Sequence, residues 1–153
     1  MYGFSAEAFL EALRGADVRL LLDVRQRRGV RGSEYAWANA KRLQAALDEA
    51  GIEYRHHPDL APTTELRERQ YAEDDRQGVG KRSRTALAPA YRERYTAEIL
   101  DHADLGEVAS SLPSDGTAAL LCVERDPEAC HRSLIAERLA TVHGITVTHL
   151  RPS

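Results

Sequence analysis

The chain has 153 residues, 42% hydrophobic and 29% charged, with a formal net charge of −3 and only two cysteines, Cys122 and Cys130. That length suits one domain spanning 1–153, and no apolar run approaches the roughly 18 residues that a membrane span needs. The acidic balance argues against nucleic-acid binding by the whole surface, and two cysteines make no disulfide framework, which fits a reducing cytoplasm.

The start, Met1-Tyr2-Gly3-Phe4-Ser5, lacks a basic region followed by an apolar core, so no secretory signal is expected. Residues 4–13 read as a helix that Ser5 caps, with Phe9, Leu10 and Leu13 on one side. Residues 18–24 (Val-Arg-Leu-Leu-Leu-Asp-Val) form a nearly continuous apolar run, as expected for a strand covered on both faces. Residues 37–50 predict a helix with Leu43 and Leu47 one turn apart, stopped by Gly51, and 52–57 a strand ended by Pro58. The polar stretch 62–84, broken by Gly78 and Gly80, reads as a long loop with one helical turn near 65–71.

Helical pieces follow over 91–100 and 105–112, then a buried strand over 117–123 (Thr-Ala-Ala-Leu-Leu-Cys-Val). Residues 128–143 predict a helix stopped by Gly144, with His131, Ile135, Leu139 and Val142 on the face towards the sheet. An alternating strand over 145–150 closes the chain. Strands alternating with helices predict an α/β fold: one three-layer, Rossmann-like domain with a mostly parallel sheet and helices on both faces. Such a fold normally opens with a strand, for which only Met1-Tyr2-Gly3 is available.

Two loops carry the chemistry. The first, 23–33, places Arg25, Arg27, Arg28 and Arg31 within seven residues, beside Gly29 and Gly32. Clustered guanidiniums repel unless something negative sits among them, which points to an anion-binding loop using Arg25 and Arg31. The alternative is structural, with Asp23 and Arg25, on one face of the strand, tying neighbouring loops together.

The second loop runs from Cys122 to Ser133 and packs two thiols, three carboxylates, an imidazole and two guanidiniums into one connection. Cys122 reads as a core residue of its strand, while Asp126 and Pro127 read as a helix start. Cys130 near a helix N-terminus beside His and Arg has the surroundings that lower a thiol pKa. Glu124 is either a partner for Arg25 or Arg125 or a general base. Arg132 and Ser133 stand where a helix N-terminus favours an anion.

The candidate chemistry therefore rests on Asp23, Glu124, Cys130 and His131, with Arg25, Arg31, Arg132 and Ser133 as ligand binders. A phosphatase loop fails, because the sixth residue after Cys122 is Glu128 and after Cys130 is Ala136, neither of them arginine. Cys-x-x-Cys is absent. Cys122, Cys130 and His131 with His56 or His57 offer enough donors for zinc, but the spacing matches no zinc knuckle, and adjacent helical residues diverge in direction. No metal and no cofactor is therefore expected.

Asp23-Val24-Arg25 with Arg31 following, Gly51-Ile52-Glu53-Tyr54-x-His56, and Cys122-x-Glu124-x-Asp126-Pro127-x-x-Cys130-His131-Arg132-Ser133 together resemble the DUF488 family, over almost the whole chain. The resemblance implies a compact three-layer α/β domain with a pocket at the strand ends, and no established activity. Two departures stand out: Arg28 and Val30 replace the proline and serine usual in the first loop, and the opening strand is trimmed to Tyr2-Gly3.

Two functions compete at this stage. One is a small protein that binds, or acts on, a phosphorylated or nucleotide-like anion at the strand ends. The other is a nucleic-acid-binding module that tracks phosphates with Arg25 to Arg31 and Lys81-Arg82-Ser83-Arg84. No membrane partner is expected.

Overall fold

Three short strands, β1 (Val18–Asp23), β2 (Glu53–His56) and β3 (Thr117–Leu121), pair in parallel in the order β2-β1-β3. The computed structural model describes all 153 residues. β1 is the middle strand, and Leu20, Leu21 and Leu22 are at most 2% exposed, which accounts for its unbroken apolar run. From β1 the chain crosses to one side for β2 and to the other for β3. The carboxyl ends of β1 and β3 therefore flank a topological switch point, where an open parallel sheet leaves a crevice.

Helices flank this sheet: α1 (Ala6–Gly15), α2 (Ala40–Glu49), α3 (Thr64–Gln77), α4 (Pro89–Glu98), α5 (Leu105–Ser110) and α6 (His131–His143). The Rossmann-like α/β architecture expected from the sequence is the one observed. Ser5 caps α1 by accepting from the Ala8 amide at 3.1 Å, and Leu43 and Leu47 are buried on α2 as their spacing predicted. No helix is long and apolar enough to cross a membrane.

Several local expectations are corrected. The stretch read as a loop over 62–84 contains α3, a helix of 14 residues. Its buried positions, Leu66, Gln70 and Asp74, recur one turn apart, but two of the three are polar, so hydropathy conceals the periodicity. Thr63 caps it by accepting from the Leu66 amide at 3.2 Å, and Gly78 ends it at φ +69°, a left-handed conformation that glycine adopts without strain.

The strand expected over 145–150 does not form. Gly144, at φ +65°, turns the chain out of α6, and the following segment makes no ladder with β3. It lies instead across an apolar groove of about 570 Å³ from β1, β3 and α1. Val142, placed on the sheet-facing side by periodicity, is 62% exposed, whereas Ile135 and Leu139 on the same face are buried. At the front, 1–3 form no strand, although the Tyr2 amide donates to the Val123 carbonyl at 2.9 Å.

The last helix also starts later than its periodicity suggested. Residues 127–129 make a single 3-10 turn, Cys130 is extended (φ −138°, ψ 145°), and α6 begins only at His131. Asp126 makes no capping hydrogen bond with its side chain; its carboxylate faces Arg151 at 3.6 Å.

Candidate functional site

The crevice at the switch point is a cavity of about 640 Å³ that brings the two chemistry-bearing loops together. One wall is the loop after β1, including Arg25, Arg27 and Arg31. The floor is Cys122, Glu124, Cys130 and His131, and the far wall comes from α3 and the segment 80–84.

The loop after β1 is held by a buried ion pair. Asp23 is fully buried, and its carboxylate accepts from the Arg25 amide, Nε and Nη2 at 3.1, 2.9 and 2.8 Å and from the Tyr54 hydroxyl at 2.6 Å. The third guanidinium nitrogen, Arg25 Nη1, donates to the Ala38 carbonyl at 2.9 Å. His56 Nε2 donates to the Arg25 carbonyl oxygen at 3.0 Å. Asp-Val-Arg is therefore a clamp that ties β1 to β2 and to the turn before α2, the structural alternative left open by the sequence. Two side chains on one face of a strand sit two residues apart, close enough for this bidentate geometry.

The floor groups are drawn together by the break before α6. Because Cys130 is extended rather than helical, its side chain converges with that of His131 instead of diverging from it, which overturns the directional argument made from sequence. His131 Nδ1 lies 3.7 Å from Cys130 Sγ and 3.8 Å from Cys122 Sγ. Cys122 Sγ lies 3.3 Å from Glu124 Oε2. Cys122 is thus buried, as expected, but it belongs to the floor as much as to the core.

On its other side, His131 Nε2 meets the Val24 carbonyl at 2.9 Å. A carbonyl only accepts, so Nε2 carries a proton and Nδ1 is the nitrogen turned towards the sulfurs. Tyr95 packs its ring 5.4 Å from the imidazole and donates its hydroxyl to the Leu60 carbonyl at 2.6 Å.

Charge is distributed unevenly over these groups. Burial opposes ionisation of Cys130, but hydrogen bonding from Cys122 and the charges of His131 and Arg132 outweigh it, bringing this thiol well below the ordinary value. Hydrogen bonding to Cys130, with burial added, pushes Cys122 well above the ordinary value. Burial works against the His131 imidazolium, yet the Cys130 thiolate raises it overall. Of the two thiols, Cys130 is the one biased towards the thiolate and Cys122 the one biased towards the thiol. Burial pushes the Glu124 carboxyl up, and burial beside these thiols holds the Tyr91 phenol neutral.

The other candidates fall into place around this centre. Arg132 is buried and donates to the Glu124 and Arg125 carbonyls at 3.0 and 3.3 Å, and the Ser133 hydroxyl donates to the Cys130 carbonyl at 2.8 Å. Both brace the loop backbone. Glu124 finds its cationic partner in Arg84, at 3.6 Å, rather than in Arg25 or Arg125.

A second buried network was missed by sequence reasoning. Arg84 forks onto Asp74 with Nε at 3.0 Å and Nη2 at 2.8 Å, and Nη1 donates to the Ala129 carbonyl at 3.1 Å. Gln70 donates to the same Asp74 at 2.9 Å. The available signal was Thr63 as a cap and Gly78 as a stop, which frame a helix whose Gln70 and Asp74 lie four residues apart. Above this network Arg82 stacks over Tyr2 and Tyr35, 4.9 and 5.2 Å from the ring centroids, and pairs with Glu34 at 3.0 Å. The segment 80–84 is thereby pinned as part of the cavity wall.

The remaining cations of the cavity are Arg27, Arg31, Arg67 and Lys81. None forms an ion pair, and Glu124 is the sole carboxylate in the lining. Searches of curated proteins and of solved structures found no match. A family model, described as a domain of unknown function, matches residues 5–139 and so takes in both loops, the strands and most of α6. On that match, the chain belongs to the DUF488 family.

Proposed function

We infer that the cavity binds a small phosphorylated or nucleotide-like anion. The observation that carries this reading is the surplus of four unpaired cations, Arg27, Arg31, Arg67 and Lys81, around a cavity with a single carboxylate. Confined cations of one sign raise the local concentration of an anionic ligand and give planar forks for its oxygens. Arg31 keeps the ligand role expected of it, whereas Arg25, Arg132 and Ser133 act on the ligand through the loops they brace. The thiolate and imidazole at the floor, with Glu124 beside them, are the groups that face a bound anion. Asp23 supports the site from behind through Arg25.

The test is a thermal-shift and calorimetric panel of inorganic phosphate, pyrophosphate, nucleoside mono- and diphosphates and sugar phosphates. At least one member should stabilise the wild-type protein. Arg31→Ala and Lys81→Ala should each weaken its binding by about tenfold, the effect of roughly 1.4 kcal/mol lost from a charged contact, with unchanged melting temperature in the absence of ligand. A flat wild-type response across the panel sinks the reading. The nucleic-acid alternative has less support, because Arg25 and Arg84, two of its phosphate-tracking residues, are buried and paired within the protein. Oligonucleotide binding that weakens steeply with added salt would restore it.

A further inference from the structure

Three donor groups converge at the cavity floor, Cys122 Sγ, Cys130 Sγ and His131 Nδ1, with Glu124 Oε2 beside Cys122. The two sulfurs and the imidazole nitrogen lie within 4.8 Å of one another. The sulfur-to-nitrogen separations are 3.7 and 3.8 Å, and Cys122 Sγ to Glu124 Oε2 is 3.3 Å. A tetrahedral zinc ion, with about 2.3 Å to sulfur and about 2.0–2.1 Å to nitrogen or oxygen, sets edges of about 3.5–3.6 Å between sulfur and nitrogen or oxygen. It also sets about 3.8 Å between two sulfurs. The three separations given, two from sulfur to nitrogen and one from sulfur to oxygen, differ from these by a few tenths of an ångström, and Glu124 would have to turn further in to take the fourth position.

The surroundings have the form that metal ligands require. His131 donates Nε2–H to the Val24 carbonyl at 2.9 Å, which fixes the ring and aims the Nδ1 lone pair at the sulfurs. Arg84 lies 3.6 Å from Glu124 Oε1, which leaves Oε2 turned towards the Cys122 sulfur. The four residues Cys122, Glu124, Cys130 and His131 are at most 8% exposed. Two thiolates and a carboxylate offset a divalent cation, and Arg84 and Arg132 balance the excess negative charge. Thiolate and imidazole donors select borderline and soft metals over magnesium or calcium.

We propose that Cys122, Cys130, His131 and Glu124 form a binding site for a divalent cation of the zinc class at the floor of the cavity. The site stands on donor geometry alone and does not depend on the cavity's binding an anion. The break before α6 is what builds it: a helix that ran through residue 130 would separate the two adjacent donors.

The experiment measures metal content of the full chain purified under reducing conditions without chelator, followed by chelator stripping and titration with Co(II) and Zn(II). The expected result is about one zinc per chain. Bound Co(II) should show the intense visible bands of a tetrahedral site and a thiolate-to-cobalt band in the near ultraviolet. Cys130→Ser should lose that near-ultraviolet intensity in part and weaken Zn(II) by about 100-fold or more, and Glu124→Gln by about 10-fold, against 10–100-fold for lost supporting contacts. Circular dichroism establishes that each variant is folded. If Cys130→Ser does not fold, the wild-type cobalt spectrum decides. A wild-type protein that takes up neither metal, or that binds Co(II) with no thiolate band, overturns the proposal, as does zinc affinity unchanged in a folded Cys130→Ser.

Discussion

The guanidinium of Arg25 lies against the carboxylate of Asp23 through two parallel hydrogen bonds of 2.9 and 2.8 Å, with both side chains sealed from solvent. Their placement at the end of the central strand makes the pair the hinge on which the arginine loop is hung. Arg25, expected from the sequence to reach a ligand, instead holds the loop that carries Arg27 and Arg31.

Breaking that pair should be costly. Asp23→Asn leaves a buried guanidinium without its counter-charge, and about 3–5 kcal/mol of stability should be lost. The check is the midpoint of urea unfolding. Joint replacement, Asp23→Leu with Arg25→Met, should cost less than Asp23→Asn alone, because no uncompensated charge remains inside.

Tyr95 offers a cleaner reading of a single hydrogen bond. Its hydroxyl donates to the Leu60 carbonyl at 2.6 Å with both residues fully buried. Tyr95→Phe keeps the ring against His131 and strands one carbonyl. A loss of about 1–3 kcal/mol is expected by denaturant titration, with the native circular dichroism preserved.

The cavity-wall segment 80–84 should loosen when the Arg82 contacts are removed. Arg82 stands over Tyr2 and Tyr35 and pairs with Glu34, whereas its neighbour Arg84 is anchored below on Asp74. Arg82→Ala should leave the global unfolding transition nearly unchanged. Hydrogen exchange at the Ser83 and Arg84 amides, which donate to the Gly80 carbonyl at 3.0 and 2.9 Å, should become markedly faster. Exchange unaltered at these amides would show that Arg84 alone holds the segment.

The thiol pair should titrate in two widely separated steps in the metal-free protein. Cys130 is brought below the ordinary cysteine value by Cys122, His131 and Arg132 despite its burial, and Cys122 is pushed above it. Thiolate absorbance should therefore rise in two steps, one below and one above the ordinary cysteine range. Cys130→Ser should remove the early step. A single two-proton rise near the ordinary cysteine range would contradict the assignment.

Elements whose buried face is apolar were legible without any structure. The run through Leu20, Leu21 and Leu22, the Leu43 and Leu47 pair and the Ser5 cap each carry their own local signal, because burial of hydrocarbon and capping of free amides act over a few residues. The loop clusters around Arg31 and around Cys130 could likewise be singled out as chemistry-bearing, since nothing about turning a chain calls for such groups. Polar burial was not legible. Gln70, Asp74 and Arg84 satisfy one another across sequence distance, so each looks like a surface residue in a linear reading. The same holds for Arg25, whose partner two residues away could have been either protein or ligand.

By itself, then, the amino-acid sequence determined the alternation of strand and helix, the family, and the two loops where chemistry is concentrated. Only the tertiary structure decided that the strands run β2-β1-β3, which places the ends of β1 and β3 beside a common crevice. It also decided that Cys130 is extended, which turns Cys122, Cys130 and His131 towards one another. The physical reason is the range of the forces involved. Periodicity and capping are written in neighbouring residues, whereas strand order, buried charge pairs and the angle of a helix start depend on what the rest of the chain packs against them.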